Sequence, residues 1–239
     1  STIAERNALE WALYMVPLAE LCKSFPCYAF GKTPEAIAQR VADICTPAQE
    51  FLVADFARYD GTLGIGVRAL ELKILMACFH PEEHDRIREL HQSTFAQRGR
   101  LGPHTYYTGF SRLSGEHGTS VLNTLVNMFV TYLSLRLTYR REAGLSSADA
   151  WATTLTTCLV AGDDSGNTAT SAGRLSQAAS MLCLNLETST IKRGELGVTL
   201  VSRQFSRDVW YGHPSSVADP YRLLSKFHLT PNLGVEVDA

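Results

Sequence analysis

The run Leu159-Val160-Ala161-Gly162-Asp163-Asp164-Ser165 constrains this chain more than any other stretch. Apolar, β-tolerant residues climb to a glycine, two carboxylates follow at once, and small polar residues lead away. Such a run reads as a strand entering a tight hairpin, the glycine taking backbone angles that a Cβ would forbid. A fold for this chain must therefore supply a sheet to hold the strand and must lift two adjacent carboxylates to its tip. Paired acids in such a place bind hard divalent cations through oxygen. Taken alone, Gly-Asp-Asp is also an ordinary surface turn, so its meaning rests on what else the chain supplies.

A second acid-bearing strand precedes it. Phe51 to Ala54 is wholly apolar, as for a strand buried on both faces, and Asp55 ends it. Asp60 lies in the turn leaving the strand, just before Gly61, where an acid is equally a plain turn residue. Gly64 to Phe79 then repeats apolar residues at Val67, Leu70, Ile74 and Ala77, the period of a helix lying on a sheet. A polar loop, Ser114-Gly115-Glu116-His117-Gly118, opens a long helix predicted to reach about Arg141. Thr119, Asn123 and Asn127 recur every four residues and share one polar face of it.

Leu155 to Ala161 is predicted as the strand into the acidic turn and Ser165 to Thr170 as a weak strand out of it. Ala172 to Leu186 is amphipathic, and Thr188 to Ile191 is short and β-prone. Leu196 to Phe205 with Val209 to Tyr211 suggests a hairpin, and Asp219-Pro220-Tyr221 opens a last helix ending near His228. Upstream, residues 7 to 23 form a helix with Leu9, Leu13, Val16 and Leu21 apolar, kinked or split by Pro17. Thr33-Pro34-Glu35 starts another, running to about Ile44. Pro81 to Arg100 reads as a solvated helical face, and Tyr106 to Arg112 as extended.

The order strand, helix, helix, hairpin, helix, strand is that of a βαββαβ layer. With the two acid-bearing strands as neighbours, Asp55, Asp163 and Asp164 converge at one sheet edge. Three carboxylates there can bridge two Mg²⁺ about 3.5–4 Å apart, an arrangement suited to in-line phosphoryl displacement.

Composition narrows the classes. The chain has 239 residues, 45% of them hydrophobic, enough for a substantial core. A net charge of -2 excludes a bulk basic field and leaves only a local basic groove for nucleic acid. No apolar run reaches the length of a membrane span, and the N-terminus lacks a signal-peptide pattern. The six cysteines are scattered among apolar residues, which reads as buried free thiols without a zinc pairing. The chain does not begin with Met, so a piece of a longer protein is expected.

As an ordered set, these motifs resemble the RNA-dependent RNA polymerases of positive-strand RNA viruses, most of all those of the nodavirus and tombusvirus type. Asp55-x-x-x-x-Asp60 is similar to their motif A, and Ser114-Gly115-x-x-x-Thr119-x-x-x-Asn123-Thr124 to motif B. Gly162-Asp163-Asp164 is similar to motif C, Lys192 to the motif D lysine, and Val201-Ser202-Arg203-Gln204-Phe205 to motif E.

The resemblance implies an α+β right-hand polymerase palm, an antiparallel βαββαβ sheet with helices on one face, together with part of the fingers and the start of the thumb. The boundaries it implies are partial fingers over 1–48, palm over 49–80, a fingers insertion over 81–112, palm over 113–206 and the beginning of the thumb over 207–239. It further implies template-directed RNA synthesis, with two Mg²⁺ (Mn²⁺ able to substitute) held by Asp55 and Asp163 and supported by Asp164. Asp60 would accept a hydrogen bond from the nucleotide 2′-hydroxyl in a network with Ser114 and Asn123, and Thr119 would help to position it. Gly115 would let its loop flex, Lys192 would protonate pyrophosphate as a general acid, and Arg203 would hold the primer backbone. The implied partners are an RNA template, a primer or nascent strand and nucleoside triphosphates. The implied setting is the host-cell cytoplasm, in replication complexes whose membrane contacts lie outside this chain. A catalytically incompetent RNA-binding or assembly module on the same palm, and a reverse transcriptase, stand as alternatives. The basic fingers motif that grips incoming triphosphate is not visible in these residues.

Overall fold

The computed structural model describes residues 5–140, 142–195 and 197–226. Its elements are α1 (Glu5–Lys23), α2 (Pro34–Cys45), β1 (Glu50–Phe56), the single turn α3 (Tyr59–Thr62), α4 (Ile65–Cys78), α5 (His84–Ser93), β2 (Arg98–Leu101) and β3 (His104–Tyr107). They continue as α6 (Thr119–Arg136), α7 (Ser147–Thr157), β4 (Cys158–Ala161), β5 (Asp164–Asn167), α8 (Ala172–Met181), β6 (Leu186–Lys192), β7 (Thr199–Leu200), β8 (Arg203–Phe205), β9 (Ser216–Ala218) and α9 (Pro220–Lys226). The expected helix end near His228, the rest of 227–239, Arg141, and Leu196 at the head of the expected hairpin lie outside the described residues.

The centre is an antiparallel sheet in the order β4-β5-β1-β6, so the expected βαββαβ layer forms. Alternation along β1 divides its side chains between two cores. Leu52, Ala54 and Phe56 face Val126 and Val130 of α6 and Leu175, Ala178 and Ala179 of α8. The two crossover helices thus share one face, as expected. The other face, which carries Phe51, is covered by Val41, Ile44 and Cys45 of α2 and by Leu200, Phe205 and Trp210 from the region of β7 and β8. Asp55 belongs to this second face by alternation, but it falls past the end of the cover and is exposed.

Several local expectations are corrected. Pro17 sits inside an unbroken α1, and that helix buries Trp11, Met15, Leu18 and Cys22. The predicted stripe Leu9, Leu13, Val16 and Leu21 faces outward; a helix apolar on two sides offers two stripes, and contact with α5 and α6 selects the one carrying Trp11. Likewise α4 buries Val67, Arg68, Glu71 and Leu75 rather than the stripe through Leu70, Ile74 and Ala77. The expected strand Leu155–Ala161 begins only at Cys158. Ser146 caps α7 by accepting from the Asp149 amide, and Thr154 and Thr157 hydrogen-bond back one turn, so β-branched residues sit in helix.

Three further boundaries move. α6 ends at Arg136, whose Nη1 donates to Leu145 O at 2.7 Å, while Arg140 lies beyond the helix and stacks on Tyr139. Pro81 to Arg100, expected as one solvated helical face, holds α5 and the first residues of a β2–β3 hairpin, with Ile87, Leu90 and His91 buried. Val209 and Tyr211 fall in a 3₁₀ turn, and β8 pairs instead with β9. All six cysteines are free, but Cys78 and Cys183 are exposed rather than buried. Among the described residues no helix is long and apolar enough to cross a membrane.

Candidate active site

Two strand registers assemble the acids. β1 pairs with β5 through Leu52↔Asn167, Val53↔Gly166 and Ala54↔Ser165, so one more step along the ladder sets Asp55 beside Asp164. β4 and β5 pair up to Ala161↔Asp164, leaving Gly162 and Asp163 as the turn. Gly162 takes φ +68°, the left-handed region that the tight turn needs. Asp55 and Asp163 are exposed and Asp164 is half-buried.

Helix α6 holds this turn from behind. Nδ2 of the buried Asn127 donates to Gly162 O at 3.0 Å and to Asp163 O at 2.9 Å. Oγ1 of Thr124 accepts from the Gly162 amide at 2.9 Å and donates to Ser120 O at 2.7 Å. Asn127, alone of the polar stripe read along α6, joins Thr124 in a clamp on the acidic turn.

In front of the turn lies a cleft of ≈ 670 Å³ whose walls include Asp60, Ser114, Gly115, Asn123 and Asp163. Nδ2 of Asn123 donates to Oδ1 of Asp60 at 2.8 Å, joining the two elements expected to read a ribose. Thr119 Oγ1 donates to Leu113 O at 3.1 Å and closes the loop at the base of α6. Gly115 takes φ +90° at the loop's apex, a conformation a side chain would strain.

The donors fit a hard divalent cation by their chemistry, because they are carboxylates at one end of one sheet. Burial, and then the negative charge of Asp163, push the Asp55 carboxyl above its ordinary value. That is the behaviour of a partly desolvated acid with another acid in range. The side chains are not already gathered: among the described residues no three His, Cys, Asp or Glu groups stand close enough to hold a metal.

No protein-family profile matches the chain. Individual relatives do. It is 28% identical over 246 residues to the RNA-directed RNA polymerase of Pieris rapae virus, covering all of this chain and 23% of that protein. It is 30% identical over 243 residues to the polymerase of striped jack nervous necrosis virus, covering 96% of this chain and 23% of the relative. The polymerase of greasy grouper nervous necrosis virus is 31% identical over 228 residues, covering 92% and 22%. The chain is a homologue of the nodavirus RNA-directed RNA polymerases. It spans less than a quarter of the length of these curated relatives. The fold agrees: the crystal structure of the RNA-dependent RNA polymerase of a human picorbirnavirus superposes with a TM-score of 0.73 at 17% identity, over 92% of this chain and 41% of that one.

Of the residues singled out by resemblance to these polymerases, Lys192 stands away from the acids. Lys192 pairs with Glu50 at the opposite end of β1, whereas the residue across from Asp55 is Glu187. Five residues of strand separate the two positions, about 17 Å at the antiparallel rise. The structure therefore does not bring Lys192 to the acids as a general acid. The amphipathic pattern ran on to Leu186, but α8 stops at Met181, and β6 carries Lys192 to the far edge. Arg203 is engaged by β9, its Nε donating to Ser216 Oγ at 2.9 Å and its Nη2 to Ser216 O at 3.4 Å.

Other residues were missed. The sequence marks Asn127 only as one of a polar stripe, and Thr124 only as part of a motif. Arg58, between the two motif A acids, is an exposed cation on the cleft wall with its backbone in the left-handed region at φ 53°. Behind the cleft, Arg68, Glu71, His91 and Arg112 are buried together. Glu71 receives Arg112 Nη2, Arg68 Nη1 at 3.0 Å, and His91 Nε2 at 3.2 Å.

The clamp yields a direct test. Replacing Asn127 by alanine frees the turn without touching a carboxylate. On the activity and metal role expected from the sequence, the full-length protein should lose about 10–100-fold in nucleotide incorporation, the usual cost of removing a group that orients a metal ligand. Single-turnover incorporation with Asn127→Ala checks this; an unchanged rate removes the clamp from the site.

Proposed function

We propose that this chain carries the nucleotidyl-transfer centre of an RNA-directed RNA polymerase, joining a nucleoside triphosphate to the 3′ end of an RNA strand on an RNA template and releasing pyrophosphate. The observation that carries the reading is the 2.8 Å Asn123–Asp60 hydrogen bond in the same cleft as the Asp163 turn. A ribose-reading pair and a metal-type acidic turn meet where a nucleotide can span them.

Asp55 and Asp163, with Asp164 in support, would hold two Mg²⁺, which supply Lewis-acid activation of the 3′-hydroxyl and of the triphosphate. The chain's own side chains position the rest. Asp60 accepts from the ribose 2′-hydroxyl, and a buried site built around that bond rejects a sugar lacking it. Ser114 offers a hydroxyl from the facing wall, and the loop through Gly115 admits the base and its template. Arg58 faces the cleft as a point for triphosphate charge. Arg203, at the β8–β9 pairing, would lie along the primer backbone. Template, nascent strand and nucleoside triphosphates are the partners in this proposal, within host cytoplasmic replication complexes.

The test is template-dependent incorporation by the full-length polymerase with Mg²⁺ and each of NTPs and dNTPs. NTP incorporation on an RNA template is expected. Preferential dNTP use would make it a reverse transcriptase, and RNA binding with no incorporation would leave the non-catalytic module. Arg58→Ala should raise KM for NTP by about tenfold with kcat little changed, the worth of one charge-assisted contact. Steady-state kinetics with varied NTP reads this, and an unchanged KM removes Arg58 from the triphosphate.

A further inference from the structure

Resting on the polymerase reading above, we infer that Arg112 is a positioning residue for ribose selection, acting from Glu71 through Asn123 onto Asp60. Its Nε donates to Asn123 Oδ1 at 2.7 Å, and Asn123 Nδ2 donates to Asp60 Oδ1 at 2.8 Å. The backbone amide of Arg112 also donates to Asp60 O at 2.8 Å. Arg112 thus grips both members of the sugar-reading pair.

The chemistry of the groups gives the relay its direction. A guanidinium only donates and an ionised carboxylate only accepts. An amide held between them can satisfy both only with its oxygen toward Arg112 and its nitrogen toward Asp60. Flipping it would set donor against donor at one end and acceptor against acceptor at the other. Tyr59 OH fixes the same residue's backbone by donating to Asn123 O at 3.2 Å. Asp60 Oδ2 takes no hydrogen bond from the described residues, so it keeps its lone pairs for a substrate hydroxyl.

Arg112 is itself buried and held by partners on several sides. Its side chain and that of Glu71 are both 0% exposed, Nη2 is paired with Glu71, and Nη1 reaches Glu116 Oε1 at 3.5 Å. The fork-shaped guanidinium can serve Glu71 and Asn123 in divergent directions at once. Glu71 is anchored in turn by Arg68 and His91, and Arg68 Nε donates to Phe110 O at 2.8 Å. A sugar-reading amide at the cleft wall is therefore held from a buried ionic cluster two residues behind it.

The experiment measures kcat/KM for ATP over kcat/KM for 2′-deoxy-ATP in the full-length polymerase. Arg112→Lys keeps the charge against Glu71 but lacks the fork, and Arg112→Gln removes the guanidinium while Glu71 stays paired with Arg68 and His91, covering the case in which the lysine variant fails to fold. The ratio should fall by about tenfold or more in each, the worth of one hydrogen bond to a charged group. A purely structural role would slow both nucleotides alike and leave the ratio fixed. Asn123→Ala supplies the comparison: adding Arg112→Lys to it should lower the ratio no further, because the relay is already cut. An unchanged ratio in a folded variant, or losses that add in the double variant, overturns the relay. No incorporation of ATP by the unsubstituted polymerase overturns the polymerase reading instead.

Discussion

Asp163→Ala in the full-length protein is expected, on the proposed function, to abolish nucleotide incorporation while leaving the fold intact. On the proposed function the loss should exceed the roughly 10–100-fold assigned to groups that merely orient a metal ligand, because a group that would itself hold the metal is removed. Stability should not suffer, since Asp163 is an exposed turn residue whose charge opposes that of Asp55. Losing that charge lets the Asp55 carboxyl fall back toward its ordinary value. Two measurements together decide the matter: single-turnover incorporation and thermal unfolding. Incorporation at the unsubstituted rate would dismantle the two-acid centre, and a collapse in unfolding temperature would turn the effect into one of folding.

The second large effect is on stability. Glu71→Leu should destabilise the protein by about 3–5 kcal/mol, the cost of leaving buried charges without their partner. Glu71 is the shared acceptor of Arg112, Arg68 and His91, and its side chain is 0% exposed. Burial raises its carboxyl, but Arg112, His91 and Arg68 outweigh burial and hold it at about 2. A carboxylate held below its unfolded value stabilises the fold above that value. The contribution is therefore complete above about pH 4.5 and is lost as pH falls toward 2.

Glu116 acts in the opposite sense. Burial pushes its carboxyl up to about 7 despite Arg112 and Arg68, so ionising it costs stability as pH rises from 4.5 to 7. Denaturant unfolding as a function of pH reads both, and Glu71→Leu should reduce the acid-side slope. A variant as stable as the parent at neutral pH would mean that the cluster is not coupled to folding.

What was legible in the residues was whatever is encoded locally. The acidic hairpin and the apolar strand before Asp55 announce themselves through runs of a few residues, and strand pairing then has one sensible solution. The polar stripe on α6 was legible as a stripe, but not as a clamp, because the oxygens that Asn127 binds lie 35 and 36 residues further on. The buried face of α4 was misread because Arg68 and Glu71 count as polar in any periodicity, although their charges are satisfied by Arg112 and His91 from other elements. Periodicity sees hydropathy and cannot see pairing. Lys192 was misplaced for a related reason: residues 182–185 are as apolar as the helix before them, so the point at which α8 gives way to strand left no mark.

The bond from the Gly162 amide to Thr124 Oγ1 makes that one amide hydrogen an internal reporter. Its exchange with deuterated solvent requires helix and hairpin to part, since unzipping the hairpin's own ladder does not release it. A slow Gly162 signal that quickens when nucleotide is added would time the loosening of the acids from their support, turnover by turnover.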